Sequence, residues 1–413
     1  MTMAQEFLPS KRAGRCRLAI VATHPIQYSA PVFRALAASR AIDLRVFYTW
    51  SQAASSVFDR DFGREVTWDV PLTDGYAYLF LENISPHPGT ERFRGIDTPQ
   101  LVPEIEAWKP DAILVYSWNY RAHLGAMRHF KGRVPVLFRG DSTLIDEHAW
   151  WRTLLRRVSL TWVYRHVDVA ISVGSNNRDY FAWCGLPQER IATAPHSVDT
   201  VRFGADSDKH DSLANRWRTQ LGIDPAAVVI LFAGKLQSQK NLDLLLAAFG
   251  TLQSGSHLVF VGNGDRESTL KAKARGHHNV HFMPFQNQSV MPAVYRLGDT
   301  FVLPSQSETW GLALNEAMAS ARPVIASSRV GGARDLIRVN EDGWTFTSGD
   351  QSQLESVLRQ AIGRGRTGLA QMGAAAQARS AAWSTEESAR CIADTVLACV
   401  GVCPPLALSN PSS

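Results

Sequence analysis

The stretch 301–322, FVLPSQSETWGLALNEAMASAR, decides the fold. It opens on an apolar run, Phe301-Val302-Leu303, that stops at Pro304 and predicts a buried parallel strand. A polar loop follows over 305–308. Residues 311–320, rich in Ala, Leu and Met and bounded by Arg322-Pro323, predict a helix. The run 323–326 predicts the next strand. Strand, tight loop, helix and strand make a βαβ unit whose helix N-terminus lies at the carboxyl edge of the sheet. Open α/β sheets hold their ligands at that edge.

Two carboxylates carry the chemistry of this stretch. Glu308 falls in the loop and Glu316 in the second turn of the helix. Backbone N–H groups near Trp310, Gly311 and Leu312 have no intrahelical acceptors, and such a partly positive helix end suits a phosphate. Gly311 lets an oxygen approach closely. A carboxylate can also take two neighbouring hydroxyls, as on a ribose or a hexose. The set suits a molecule with sugar on both sides of a phosphate bridge, a nucleotide sugar. Read alone, it is equally an ordinary helix with one acid near its positive end and another on its exposed face.

Working outward, 413 residues are too many for a typical single domain, so two are expected. The 45% hydrophobic and 20% charged content is that of a globular chain. Five scattered cysteines without a CxxC pair argue against a disulfide framework or zinc site and fit a reducing cytosol. Residues 1–16 read as a disordered leader without a signal-peptide core, and no apolar run is long enough to span a membrane. A net charge of +5 suits an anionic ligand or surface and falls short of a nucleic-acid signature.

The first half predicts strands at 17–22, 44–48, 76–81, 112–116, 135–138 and 169–173 with helices between them, a parallel-sheet domain over 17–205. The segment 51–74 reads as a long irregular excursion of functional type. Within it Asp59-Arg60-Asp61 imitates an acid-x-acid metal motif but reads as solvated charge with no strand leading into it. Residues 206–211 read as the inter-domain linker. The second half, 212–385, predicts strands at 228–232, 257–261, 280–282, 301–303 and 324–326. Helices are expected at 351–362, 368–380 and 386–400, and a flexible tail over 403–413. The segment 150–165, WWRTLLRRVSLTWVYR, has four arginines and no acid. It reads either as a basic amphipathic helix that lies on an anionic membrane or as a core-packed helix with a solvated arginine face.

Other candidate residues also follow predicted strands. Gly234 and Lys235, with Lys240 five residues on, can receive a pyrophosphate without a metal. Gly262-Asn263-Gly264 resembles half a dinucleotide fingerprint and fits equally a turn near a nucleobase. Gly331-Gly332 allows close backbone approach to a ligand, or a plain turn. In the first half His24 and Asp141 lie past strands and face the second domain, where they could hydrogen-bond a sugar or an acceptor hydroxyl. His277, His278 and His281 lack an acidic or cysteine partner at ligand spacing, so no metal is expected there.

Taken together these motifs resemble the GT-B-fold, retaining glycosyltransferase family 4. The ordered set runs from FAGKL with Lys240, through VGNG, to Glu308 and Glu316 as an E-x7-E pair within ETWGLALNEAMASARPVIAS, and then Gly331-Gly332. APHSVD at 194–199 resembles the family's inter-domain motif, and THPIQY at 23–28 looks like a subgroup from bacterial surface-polysaccharide pathways. The resemblance implies an α/β fold of two Rossmann-like doubly wound parallel-sheet domains facing a cleft. It implies a last helix, 386–402, that crosses back to the first domain. Lys235 and Lys240 would hold a donor diphosphate, Glu308 the transferred sugar, backbone amides near Trp310, Gly311 and Leu312 the phosphates, and Glu316 the ribose.

The implied activity is sugar transfer from a nucleotide-diphosphate sugar to a hydroxyl of a glycan or lipid-linked acceptor. It would proceed with retention, without cofactor or required metal, in the cytoplasm or peripherally on the inner membrane. No nucleic-acid partner is expected. Lys235 replaces the usual arginine, which removes bidentate phosphate contact while keeping the charge. Asp335 stands where glutamate is common, and His196-Ser197 replaces Asn-Gly. A nucleotide-sugar 2-epimerase on the same scaffold and a non-catalytic nucleotide-sugar binding protein are the alternatives.

Overall fold

The computed structural model describes residues 14–50, 57–59, 64–146, 150–252 and 255–401. Expectations for the leader before residue 14 and the tail after 401 lie outside them. The first half supplies strands β1 (Cys16–Ala22), β2 (Ile42–Tyr48), β3 (Val57–Asp59), β4 (Arg64–Val66), β5 (Ala77–Phe80), β6 (Ala112–Tyr116), β7 (Val136–Arg139), β8 (Val169–Ser172) and β9 (Ile191–Thr193). The second half supplies β10 (Val229–Ala233), β11 (His257–Val261), β12 (Val280–Met283), β13 (Thr300–Leu303), β14 (Val324–Ser327) and β15 (Gly343–Phe346).

They form a seven-stranded sheet, order β5-β2-β1-β6-β7-β8-β9, and a six-stranded sheet, order β12-β11-β10-β13-β14-β15. Every pairing in both is parallel. The fold is GT-B, two doubly wound α/β sheets. Burial explains why the apolar runs read so clearly. Val229 to Ala233 are all buried because helices cover both faces of the sheet. In β1 the side chains alternate: Leu18 and Ile20 enter one core, Ala19 and Val21 the other. Each buried Leu, Ile or Phe contributes roughly 1.5–3 kcal/mol of transfer free energy.

The helix Thr385–Cys399 closes the chain against the first sheet. Ala389, Ile392, Ala393 and Val396 share a core with Leu18, Ile20 and Phe33. Ser384 caps this helix by accepting from Glu387 N at 3.2 Å. Buried Arg139, at the end of β7, ties the crossing down. Its guanidinium donates to Ala194 O at 2.9 Å, Pro195 O at 3.0 Å and Ser388 Oγ at 3.5 Å.

Two expectations need correction, and two strands went unpredicted. Residues 206–211, expected as the linker, are largely helical: Asp206 precedes the helix Ser207–Gln220, which buries Ala214 and Arg218 and packs Trp217 against the core of the second sheet. The excursion 51–74 holds the antiparallel pair β3–β4, so a strand does lead into Asp59. Three-residue strands are too short to show a period of two. For the same reason β9 was not legible. β15 was hidden by its leading Gly343, where an added Cβ would lie 2.3 Å from Val324 O. Among the described residues, no helix is long and apolar enough to cross a membrane.

Candidate active site

The loops that leave β10, β11 and β13 converge because β10 pairs with both β11 and β13. A cavity of about 390 Å³ opens at their carboxyl ends. Its lining includes Gly234, Lys235, Lys240, Gly262, Glu308, Gly311, Leu312 and Glu316. The Lys240 ammonium is ion-paired to Glu308 Oε2, both side chains being about one-fifth exposed (18% and 22%). Ser305 Oγ donates to the same oxygen at 3.4 Å. The Glu308 backbone is fixed as well: its N–H donates to Arg329 O at 3.1 Å and its carbonyl accepts from Gly331 N at 2.9 Å.

That pairing accounts for the double glycine. A Cβ on Gly331 would lie 1.9 Å from Thr309 O, and one on Gly332 would lie 2.8 Å from Trp310 O. The room they leave is taken by the Glu308 loop itself, and neither lines the cavity. Likewise a Cβ on Gly264 would meet Leu236 O at 2.4 Å, so this glycine packs chain on chain outside the cavity lining. Gly234 differs: at φ +151° a Cβ there would have nothing nearer than the Phe232 ring at 3.5 Å, which leaves open space at the cavity.

The helix Leu312–Ala319 begins at Gly311, whose φ of +92° is left-handed and suits glycine. Its first hydrogen bond runs from Leu314 N to Gly311 O at 2.9 Å. The preceding amides therefore have no helical acceptor, and Gly311, Leu312 and Ala313 all line the cavity. The Trp310 side chain is elsewhere. It is buried against Trp383, ring centroids 5.1 Å apart, and its Nε1 donates to Asn315 Oδ1 at 2.8 Å.

Glu316 is not on an exposed face. Its Oε2 accepts from the Tyr295 hydroxyl at 2.6 Å. Burial pushes its carboxyl above the usual carboxylate range, while the Tyr295 hydrogen bond and the Arg202 charge oppose that rise. Arg202 in turn donates to Gln288 O at 2.6 Å and Oε1 at 3.1 Å.

From the first half, Gln27 and Trp68 reach the cavity, while His24 and Asp141 do not line it. His24 sits beside Thr23 Oγ1, 2.9 Å from its Nδ1, and edge-on to Trp50 at 5.3 Å. Burial pushes its imidazole down to about 4, so it is neutral at pH 7. Asp141 instead accepts from Thr309 Oγ1 at 3.0 Å, next to Glu308.

Other contacts seal the two halves together. Asp335 accepts from Ser175 N at 2.9 Å and from its hydroxyl, and Asn176 Nδ2 donates to Gly331 O at 2.8 Å. Gly174 makes this approach close, since a Cβ there would lie 2.3 Å from the Trp310 ring. Beside Trp68, Thr67 O accepts from Asn287 Nδ2 at 2.8 Å and Asp69 accepts from Ser289 N at 2.9 Å. Gln27 and Trp68 do belong to stretches singled out from sequence, the 23–28 loop and the 51–74 excursion. Tyr295, Arg202 and Ser175 carried no local signal.

Residues 214–379 match the family model described as Glycosyl transferases group 1, and residues 58–202 match that described as Glycosyltransferase Family 4. The two matches fall in turn on the two sheet domains of the GT-B fold. Sulfoquinovosyl transferase SQD2 of Arabidopsis thaliana is 26% identical over 274 residues, 63% of this chain and 52% of that protein. A D-inositol 3-phosphate glycosyltransferase of Rhodococcus erythropolis is 31% identical over 215 residues, 49% of this chain and 48% of that protein. This GT-B chain thus spans about half the length of these curated relatives. Among solved structures, Anabaena HepE in complex with UDP superposes with a TM-score of 0.69 at 17% identity, over 92% of this chain and 99% of that one. The catalytic domain of Arabidopsis thaliana starch synthase IV bound to ADP and acarbose gives 0.70 at 15% identity, over 94% and 100%. Both share the GT-B fold.

Proposed function

We propose that this chain transfers a sugar from a nucleotide-diphosphate sugar to a hydroxyl of a glycan or lipid-linked acceptor, with retention of anomeric configuration. The observation that carries the reading is the Lys240–Glu308 pair on one cavity with Lys235, the Gly311 helix end and the Tyr295–Glu316 pair. The two solved neighbours that hold UDP and ADP support a nucleoside diphosphate as the leaving group.

In this reading the transition state gathers positive charge on the sugar ring and negative charge on the departing diphosphate. Lys235, Lys240 and the amides of Gly311, Leu312 and Ala313 face the latter, so they stabilise charge as it develops. They also supply this charge without a metal. Glu308 sits where the transferred sugar meets the diphosphate, its carboxylate held by Lys240 and Ser305 and its main chain by the 329–331 backbone. Glu316, fixed by Tyr295, accepts from the ribose hydroxyls. Gln27 and Trp68 bring the first half over the sugar and help exclude water, which would otherwise hydrolyse the donor. A role in cell-surface polysaccharide synthesis rests on the likeness of the 23–28 loop alone.

Glu308→Ala tests the reading. Nucleotide-diphosphate release with a working donor and acceptor is expected to fall about 100-fold or more. Unchanged turnover would overturn it. Incubation of donor without acceptor separates transfer from 2-epimerisation, which needs none.

A further inference from the structure

The helix Trp150–Tyr164 has two apolar faces. Leu160, Val163 and Tyr164 enter the core of the first sheet. On the other side Trp151, Leu154, Leu155, Val158 and Trp162 stand in solvent at 47%, 54%, 63%, 64% and 39% exposure. At about 100° per residue these five fall within an arc of roughly 100°, opposite the buried face. A scattered exposed leucine needs no explanation, but a continuous outward stripe marks an interaction surface.

Charge shows what covers it. Arg152 and Arg157 flank the stripe on either side and are exposed, and the helix supplies no carboxylate. Arg165 and Arg128 lie over the Trp162 ring at 5.8 and 5.7 Å. Arg128 extends the basic rim to a neighbouring cavity of about 470 Å³, also lined by Arg94 and Arg121. A second copy docked across a two-fold axis would set this arginine rim against itself. An apolar stripe between arginines, with two tryptophans at its ends, matches instead the interface of a bilayer carrying anionic headgroups.

We propose that the helix Trp150–Tyr164 docks the chain on an anionic lipid bilayer, its outward stripe in the interface and its flanking arginines on the headgroups. The surface is joined to the candidate active site. Asp146 accepts from Ser307 Oγ, beside Glu308, and four residue steps, at most about 14 Å of chain, separate it from Trp150. Docking would therefore hold the cleft near the membrane, where the lipid-linked arm of the proposed acceptors resides. The inference stands on the surface itself and does not require the donor reading.

Co-sedimentation of the full chain with vesicles tests it. Vesicles of phosphatidylcholine containing roughly one third phosphatidylglycerol are expected to bind about tenfold more protein than pure phosphatidylcholine, with binding falling as salt rises. The combined Leu154→Asp, Leu155→Asp, Val158→Asp variant and, separately, Arg152→Glu with Arg157→Glu are expected to lose about tenfold. Both should keep the wild-type thermal midpoint, since these side chains are exposed. No binding of the wild type to anionic vesicles, or equal binding of the apolar variant, overturns the proposal. So does sedimentation velocity in which the wild type is a dimer and the apolar variant a monomer, which would make a second copy the occupant.

Discussion

The two halves present different chemistry to the cleft. The edge of the second sheet is charged: Lys235, Lys240, Glu308, Glu316 and a helix N-terminus share one cavity. The first half carries carboxylates in contacts with the second, Asp141 with Thr309 and Asp69 with Ser289, and its histidines are neutral. His24, His123 and His196 are each held down to about 4, chiefly by burial. All three are uncharged at pH 7. A diphosphate belongs against the charged edge. The difference comes from chain architecture as much as from residue choice. On the charged side the loops end in open space at a helix N-terminus. On the first half's side His123 folds back onto its own backbone. His123 Nδ1 lies 2.9 and 2.8 Å from Tyr116 O and Ser117 O, so that nitrogen carries the proton and donates. Its Nε2 then accepts from Thr49 Oγ1 at 2.8 Å.

The largest effect should come from acid on the neutral histidines. The folded pKa of His123 lies below its unfolded value near 6.5, so the folded state binds fewer protons between the two values. Its contribution, on the order of 3 kcal/mol, is present above pH 6.5 and is lost as pH falls toward 4. Urea unfolding at pH 7 and at pH 4 should show that loss in the wild type and a smaller one in His123→Gln. Equal losses would mean that the histidine edge is not held neutral by folding. Next comes the charged side. Lys240→Ala removes a cation from the cavity and leaves Glu308 without its ion pair. Calorimetric titration should show nucleotide diphosphate binding about 100-fold more weakly, about 2.7 kcal/mol. His24→Ala should leave that affinity within roughly threefold if the division between the halves is real. Between Lys240→Ala and His24→Ala comes Tyr295→Phe, which deletes one hydrogen bond to Glu316. Nucleotide affinity should fall about fivefold, near 1 kcal/mol. An unchanged affinity would separate Glu316 from the ribose.

The strands that position the cavity were legible because they are buried on both faces and read as continuous apolar runs. The charged residues were legible too, since each follows such a run within a few positions. Sequence could not show which glycines face a ligand and which face chain. Gly234 and Gly331 look alike in a string, yet one borders open space and the other a carbonyl 1.9 Å from where its Cβ would be. Nor could it show Asp335, whose partner Ser175 lies 160 residues away. Glu316 looked exposed because Tyr295, which covers it, sits on another helix with no local pattern linking the two. The Trp/Arg helix kept both of its readings open for a related reason. Only the packed sheet shows that Leu160, Val163 and Tyr164 are buried while Trp151, Leu154, Leu155, Val158 and Trp162 face outward between the arginines.

Gly174 carries a practical consequence. Its φ of 172° is ordinary extended backbone that any residue adopts, so glycine is required there only by the Trp310 ring and the Asp335 carboxylate pressed against it. A single methyl group at this point would act as a wedge between the two halves. Gly174→Ala should keep both sheets folded while prying the cleft apart. Small-angle scattering would register it as a larger radius of gyration, and the variant would give a stable handle on a wide-cleft form of the chain.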